Sequence, residues 1–283
     1  MEPWLSQTDI REDLEDPHLD LETDTWVVED AGEVVGYGGL WDLREEEAEA
    51  FDAQCYTSPT HLGRGIGSFL IDRTEGAADE AAGRVRRRPL LLRNFVSAKN
   101  DTARAMLETR GYRCVRHYFH MAIALDDVGE PPAVPEGLLL RTFEPKKDAE
   151  AVHELIVDAF SEHWNWTPLP FESFRKRVQE SDDFEPEFTP LIFEGDRLIG
   201  VSLNGKKVGM GWVEDLAVRK DRRGRGLGEL LLRETFARFK AKGWDKVGLG
   251  VDSSNATGAV RLYERVGMHI TRQFDAYERV IAP

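Results

Sequence analysis

Arg222, Arg223, Gly224, Arg225, Gly226 and Gly228 stand within seven consecutive positions. Glycine permits positive φ and lets successive backbone N–H groups converge on one concavity. An amphipathic stretch, Glu229 to Lys242, follows at once. A helix starting there adds unpaired donors and the positive end of its dipole. Three arginines supply full charge. Such a turn is suited to cradling a pyrophosphate. Its spacing is neither the Gly-x-Gly-x-x-Gly of a dinucleotide fold nor a Walker loop, which ends in Lys-Ser/Thr.

The elements that must position this turn occur twice. Gly63-Arg64-Gly65-Ile66-Gly67 matches Gly224-Arg225-Gly226-Leu227-Gly228, 161 positions on. Each cluster is followed by a helical stretch (Phe69 to Ala82, Glu229 to Lys242) and a β-type run (Leu90 to Val96, Val247 to Val251). Then come Asn100 or Asn255 and a short helix ending in Arg110-Gly111-Tyr112 or Val266-Gly267-Met268. Both halves close on strand-like segments, Tyr118 to Ala124 and Phe274 to Ile281. Five elements repeated in one order identify duplicated copies of one fold. A turn kept only for its geometry does not explain that recurrence. Between the copies, Asp126 to Gly137 holds Pro131, Pro132 and Pro135 and reads as a semi-rigid linker, with the boundary near Pro132. The second copy opens with a strand (Leu138 to Thr142) and a helix (Asp148 to Phe160). The first lacks counterparts and begins at the next helix, around Leu5 to Leu14.

At 283 residues and 41 % hydrophobic, the chain has material for two cores. Its formal charge of −15 argues against a nucleic-acid partner and against docking on an anionic membrane. Cys55 and Cys114 cannot build a disulfide framework or a structural zinc site, and read as small buried residues in a reducing compartment. No metal is expected. There is no membrane-spanning run, and the acidic start (Glu2, Asp9, Glu12, Asp13) is unlike a secretion signal. The expectation is a soluble cytoplasmic protein, monomer or homodimer.

Arg223-Gly224-Arg225-Gly226-Leu227-Gly228 resembles motif A (Gln/Arg-x-x-Gly-x-Gly/Ala) of the GNAT acetyltransferase superfamily. Asn255 with Arg261-Leu262-Tyr263-Glu264-Arg265-Val266-Gly267-Met268 resembles its motif B. The resemblance covers essentially the whole chain and is most specific in the second half. It implies a mixed α/β fold of two tandem domains, each a mostly antiparallel sheet flanked by helices, the first lacking its opening strand and helix. A degenerate domain would span 1–131 and a catalytic one 132–283. It further implies acetyl-CoA as donor and the primary amine of a small molecule or peptide as acceptor. The strand backbone at Leu216, Ala217 and Val218 would hold the pantothenyl arm and polarise the thioester. The amides of Arg223 to Gly228 would take the pyrophosphate, and Asn255 would join the cofactor site. Tyr263 stands where the family places its general acid, and a phenol stays protonated near pH 7. Glu214 and Asp215 are adjacent on the preceding strand, so only one can face the acceptor; family analogy selects Glu214 as base.

The first half carries Ala53, Leu62 and Leu107 where the second has Glu214, Arg223 and Tyr263, so chemistry is assigned to the second half. The competing class is a non-catalytic acyl-CoA-binding module. The segment Phe160 to Pro168, with His163, Trp164 and Trp166, would either line the acceptor site or cap the core. His163 is a second candidate proton acceptor. Arg84, Arg86, Arg87 and Arg88, and Glu45 to Glu47, read as solvated loops.

Overall fold

A computed structural model describes residues 7–44, 50–83, 90–126, 128–164, 166–181, 184–207, 209–255 and 258–281. The runs Arg84–Arg88 and Glu45–Glu47 lie outside the described residues. The chain order is α1 (Gln7–Leu14), β1 (Thr25–Asp30), β2 (Glu33–Asp42), β3 (Ala50–Thr57), α2 (Ile66–Gly83), β4 (Leu90–Ser97), α3 (Asp101–Thr109) and β5 (Arg113–Ala124). There follow β6 (Leu138–Thr142), α4 (Pro145–Phe160), α5 (Phe171–Glu180), β7 (Pro190–Glu194), β8 (Arg197–Lys207) and β9 (Met210–Val218). The last are α6 (Leu227–Ala241), β10 (Lys246–Asp252), α7 (Ala259–Arg265) and β11 (His269–Ile281). Strand–turn–helix–strand–helix therefore occurs twice, as the repeat predicts. Among the described residues β6 and α4 lead the second copy only, where the run before the glycines is longer.

Two compact units form. Asp9–Tyr118 and Arg272–Pro283 make the N-terminal unit, and Phe119–Thr271 the body of the C-terminal one. The closing strands are thus exchanged. The N-terminal sheet runs β1-β2-β3-β4 and ends on β11, which pairs antiparallel with β4 from Phe274↔Ser97 to Ile281↔Leu90. The C-terminal sheet runs β6-β7-β8-β9-β10 and ends on the part of β5 from Phe119 on. The boundary near Pro132 stands as a proposal for where one sequence repeat yields to the next. Compactness divides the chain elsewhere.

In the C-terminal unit α6 packs on one face of the sheet through Leu232, Phe236 and Phe239 with Val213, Val247 and Leu249. The other face carries α4 and α5 through Val152, Leu155, Phe174 and Val178 with Val201, Leu203 and Ala217. In the N-terminal unit Tyr277 and Ile281 of β11 complete a core with Phe51, Ile71, Leu92 and Leu107. Both cysteines are free, but neither is fully buried: Cys55 is half-buried and Cys114 exposed, because β5 begins with three solvent-facing residues. Cys114, His117 and Asp275 bring ligand-type atoms within 4.8 Å of one another, the Asp275 carboxylate already taken up by His117, Gln273 and Arg104. Among the described residues, no helix is long and apolar enough to cross a membrane.

Candidate active site

The second Gly turn joins β9 to α6. Gly224 and Gly226 have φ of +75° and +78°, the left-handed region where a Cβ is strained. Gly226 is the N-cap of α6 and supplies no side-chain acceptor. The first amides of a fifteen-residue helix therefore have no side-chain cap, and face outward with the positive end of the dipole. Gly228 serves packing instead: a Cβ there would lie 3.0 Å from Leu262 Cδ2.

The three arginines separate on inspection. Arg222 donates to Glu194 (Nε 3.0 Å, Nη2 2.5 Å) and to Asp221. Arg223 donates to the carbonyls of Ala159 (3.0 Å) and Val218 (3.3 Å), tying the turn to the end of α4. Arg225 is exposed, and its guanidinium makes no hydrogen bond or ion pair among the described residues.

β9 pairs with β8 along its length, to Val218↔Gly200, but with β10 only from Gly211↔Val247 to Val213↔Leu249. Beyond Val213 the two parallel strands diverge, and Leu216–Val218 has no β10 partner. The β8–β9 register slips between Leu203 and Asn204, which face Asp215 and Val213, so Glu214 is the extra residue of a bulge. Bulges free ladder groups and redirect side chains. Glu214 is exposed, whereas the Asp215 side chain is 19 % exposed, with Arg177 of α5 at 3.4 Å from its Oδ2. Burial raises the Asp215 carboxyl above the ordinary carboxylate value, against the opposing pull of Arg177.

Tyr263 is 8 % exposed and packs on the α6 side of the sheet. Its backbone is fixed by the helix end: Gly267 (φ +97°) donates to Glu264 O and Met268 to Tyr263 O, both at 3.0 Å, which makes a Schellman motif. Burial first, then the Asp215 charge, push the Tyr263 phenol up to about 12. It holds its proton at neutral pH.

The acceptor-loop candidates divide. Phe160 and Trp166 pack on the α4–α5 cluster with ring centroids 5.8 Å apart, which is the core-capping role. His163 packs on Phe160 with ring centroids 4.5 Å apart and planes tilted by 49°, and its Nε2 lies 3.1 Å from Asn255 Nδ2. Asn255 is thereby joined to the acceptor-side loop. His163 Nδ1 is buried without a partner. Burial, then Arg223, lower the His163 imidazole, so neutral His163 is a weak proton acceptor. Sequence reasoning missed Arg177, 38 positions from its partner with no motif to mark it.

The same turn in the N-terminal unit keeps its backbone, with Gly63 at φ +75° and Gly65 at +83°. Arg64, the counterpart of Arg225, donates instead to Asp30 at the end of β1 (2.7 Å), and His61 Nε2 lies 3.4 Å from the same carboxylate. β2 and β3 pair without slip from Gly36↔Thr57 to Asp42↔Phe51, so there is no bulge. Ala53 and Leu107 are buried in the core, and Leu62 is 67 % exposed.

The α6 start without a side-chain cap, the exposed Arg225 and the diverging β9 edge fit a donor with a pyrophosphate and an extended amide arm. Comparison with known proteins gives the same direction. A model of the acetyltransferase (GNAT) family matches residues 1–112 and 149–268. The mycothiol acetyltransferase of Actinosynnema mirum is 32 % identical over 238 residues, covering 83 % of this chain and 77 % of that one. A GCN5-related N-acetyltransferase of Sphaerobacter thermophilus superposes with a TM-score of 0.79 at 30 % identity, covering 98 % of this chain and 86 % of that one. A tandem GNAT protein from the clavulanic acid biosynthesis pathway gives 0.70 at 20 % identity over 94 % and 85 % of the two chains, a likeness of fold.

Proposed function

Since this chain belongs to the GNAT acetyltransferase family and is an N-acetyltransferase, we propose that it acetylates a primary amine of a small molecule or peptide and that turnover takes place in the C-terminal unit. One observation carries the reading. Only in that unit do an unpaired cradle arginine, a bulged strand with carboxylates and a buried tyrosine coincide among the described residues. Members of the family use acetyl-CoA as co-substrate. Here the amides of Arg223 to Gly228 and the Arg225 guanidinium would hold its pyrophosphate. The edge of Leu216, Ala217 and Val218 would pair with its arm, and Asn255 would close the site beside His163. The group supplies an activated acetyl thioester.

The chain's own residues handle the protons. An ammonium must lose one before its nitrogen attacks, and the leaving thiolate must gain one. A β9 carboxylate, Glu214 or Asp215, receives the first. Tyr263 gives the second. Backbone N–H groups at Leu216–Val218 stabilise the carbonyl oxygen as charge builds on it. The pair Glu214–Asp215 also favours a cationic acceptor. Homology to mycothiol acetyltransferases puts a small-molecule amine first among candidates.

The test is free-thiol release from acetyl-CoA by the purified chain against aminoglycosides, polyamines, amino acids, peptides and cysteinyl-glucosamine. Turnover confined to one class identifies the acceptor. Silence across the panel, with acetyl-CoA bound, overturns the amine assignment.

A further inference from the structure

In the N-terminal unit the start of β5 meets β11 at three side chains that acetyl transfer does not use. Cys114 and His117 stand in the stretch of β5 that belongs to this unit, and Asp275 stands in β11. Their ligand-type atoms all lie within 4.8 Å of one another. His117 Nδ1 is 2.7 Å from Asp275 Oδ1 and 3.9 Å from Cys114 Sγ. The Asp275 side chain is 3 % exposed and that of His117 49 %, and Cys114 faces solvent, so the cluster has a fixed floor and an open mouth.

A thiol sulfur, an imidazole nitrogen and a carboxylate oxygen are the donor set of zinc and its borderline-soft neighbours. Counting cysteines gives no such centre, because one thiol is too few. The fold adds an imidazole three positions on and a carboxylate 158 positions beyond that. Tetrahedral zinc, with Zn–S of about 2.3 Å and Zn–N and Zn–O of about 2.0–2.1 Å, sets S···N at about 3.6 Å and N···O at about 3.3 Å. The first distance found here must therefore shorten and the second lengthen, each by well under 1 Å, roughly. One shift of the half-exposed imidazole, away from Asp275 and toward Cys114, does both. The carboxylate is already aimed. Gln273 Nε2 donates to Asp275 Oδ1 at 2.8 Å, and Arg104 Nε lies 3.6 Å from Oδ2. Partners of this kind orient a ligating carboxylate, and the His117 contact is the one an ion would replace.

We propose that Cys114, His117 and Asp275 bind one divalent cation of the zinc class, with water as the fourth ligand, as a clip between β5 and β11. On binding, the Cys114 thiol gives its proton to solvent and the imidazole carries its own on Nε2, leaving Nδ1 for the ion. Thiolate and carboxylate then balance the two positive charges. Burial first, then the Asp275 charge, raise the Cys114 thiol above its ordinary value, and a cation in the proton's place answers both. The clip joins positions 158 apart, and a cross-link over so long a span removes much of the unfolded chain's freedom.

The experiment titrates the full chain, purified without a polyhistidine tag and freed of metal by chelation, with Co²⁺ as the spectroscopic probe and with Zn²⁺. One Co²⁺ per chain should bind with a thiolate-to-metal charge-transfer band and the intense visible bands of a tetrahedral site. Zn²⁺ at about 100 times its Kd should raise the melting temperature by about 5 °C. It should also protect one thiol, Cys114, from alkylation. Cys55 is the internal control, since burial pushes its thiol up to about 12. Cys114→Ser and His117→Ala alter solvent-facing side chains, and circular dichroism confirms that both fold. The first should abolish the charge-transfer band, the second weaken Co²⁺ about 100-fold and Gln273→Ala about tenfold. Absence of the band in wild type overturns the proposal. So does a band that survives Cys114→Ser, which would put the ion on Cys55. A zinc-dependent rise in melting temperature that persists in both variants overturns it as well, because the ion would then act elsewhere.

Discussion

The two Gly turns of this chain share a backbone and differ in what their arginine does. At Gly63–Gly67 the guanidinium of Arg64 is already matched by the Asp30 carboxylate, with His61 beside it. At Gly224–Gly228 the matching Arg225 has no hydrogen-bond or ion-pair partner among the described residues, acting on Glu194 only through its field, and the acids nearby are taken by Arg222 and Arg197. Retaining the glycines therefore preserves the strand-to-helix turn in both, whereas anion binding needs an unpaired cation as well. The strands repeat the lesson. β3 and β9 both diverge from their parallel neighbour, after Ala53↔Asn94 and Val213↔Leu249, but only β9 is bulged and only β9 carries acids at that point. Even the paired asparagines part company: Asn100 caps α3 by accepting from Ala103 N at 3.1 Å, whereas Asn255 reaches His163.

The sharpest way to break this comparison is Tyr263→Phe. It should lower kcat more than tenfold, on the order of 100-fold, while acetyl-CoA affinity by calorimetry stays within a factor of two. An unchanged kcat would remove the hydroxyl from the reaction. Next is a matched pair of glycine substitutions. Gly226→Ala places a Cβ at φ +78°, which costs roughly 1–2 kcal/mol of backbone strain, and should weaken acetyl-CoA about tenfold. Gly65→Ala should leave binding of one acetyl-CoA per chain untouched. Equal losses would mean that both turns bind. A third test removes charge alone: Arg225→Gln should weaken acetyl-CoA about fivefold and flatten its salt dependence, and Arg64→Gln should do neither. The smallest effect concerns what only the C-terminal unit possesses. Arg141 of β6 holds Asp148 of α4 through two contacts of 2.6 Å, and Glu144 N donates to the same carboxylate at 2.8 Å. Asp148→Asn should cost about 2 kcal/mol in urea unfolding. These contacts lower the Asp148 carboxyl in the folded chain. The wild-type advantage is therefore complete above the unfolded value of about 3.9 and disappears as pH falls through the lower folded value.

Much of the candidate site was legible because it lies in short local patterns. The glycine spacing, the helix behind it and Tyr263 four residues before Gly267 all occur within one strand–helix or helix–turn segment. The inward side of β9 was not. Alternation along a strand decides faces only while the register holds, and the slip opposite Leu203 and Asn204 is invisible in the residues of β9 alone. Arg222 and Arg223 read as charge for a ligand, yet one is committed to Glu194, 28 positions away, and the other to the Ala159 carbonyl, 64 away. The exchange of closing strands was hidden for a different reason. Tyr118–Ala124 and Phe274–Ile281 carry the same alternating pattern, so nothing in either segment declares which sheet it joins.

That exchange governs how the chain can be assembled and divided. Arg93 of β4 is 1 % exposed and is neutralised in part by Glu278 of β11, 185 positions downstream. The N-terminal sheet must wait for a segment made long after its other strands, and closing so large a loop is an entropic cost met late. Until then β4 presents a raw edge, the kind of surface on which chains aggregate. Cutting at Pro132 to obtain separate halves would strand each closing segment with the wrong partner. Chains meant to fold independently would instead be joined permutations, 9–118 fused to 272–281 and 119–271 alone.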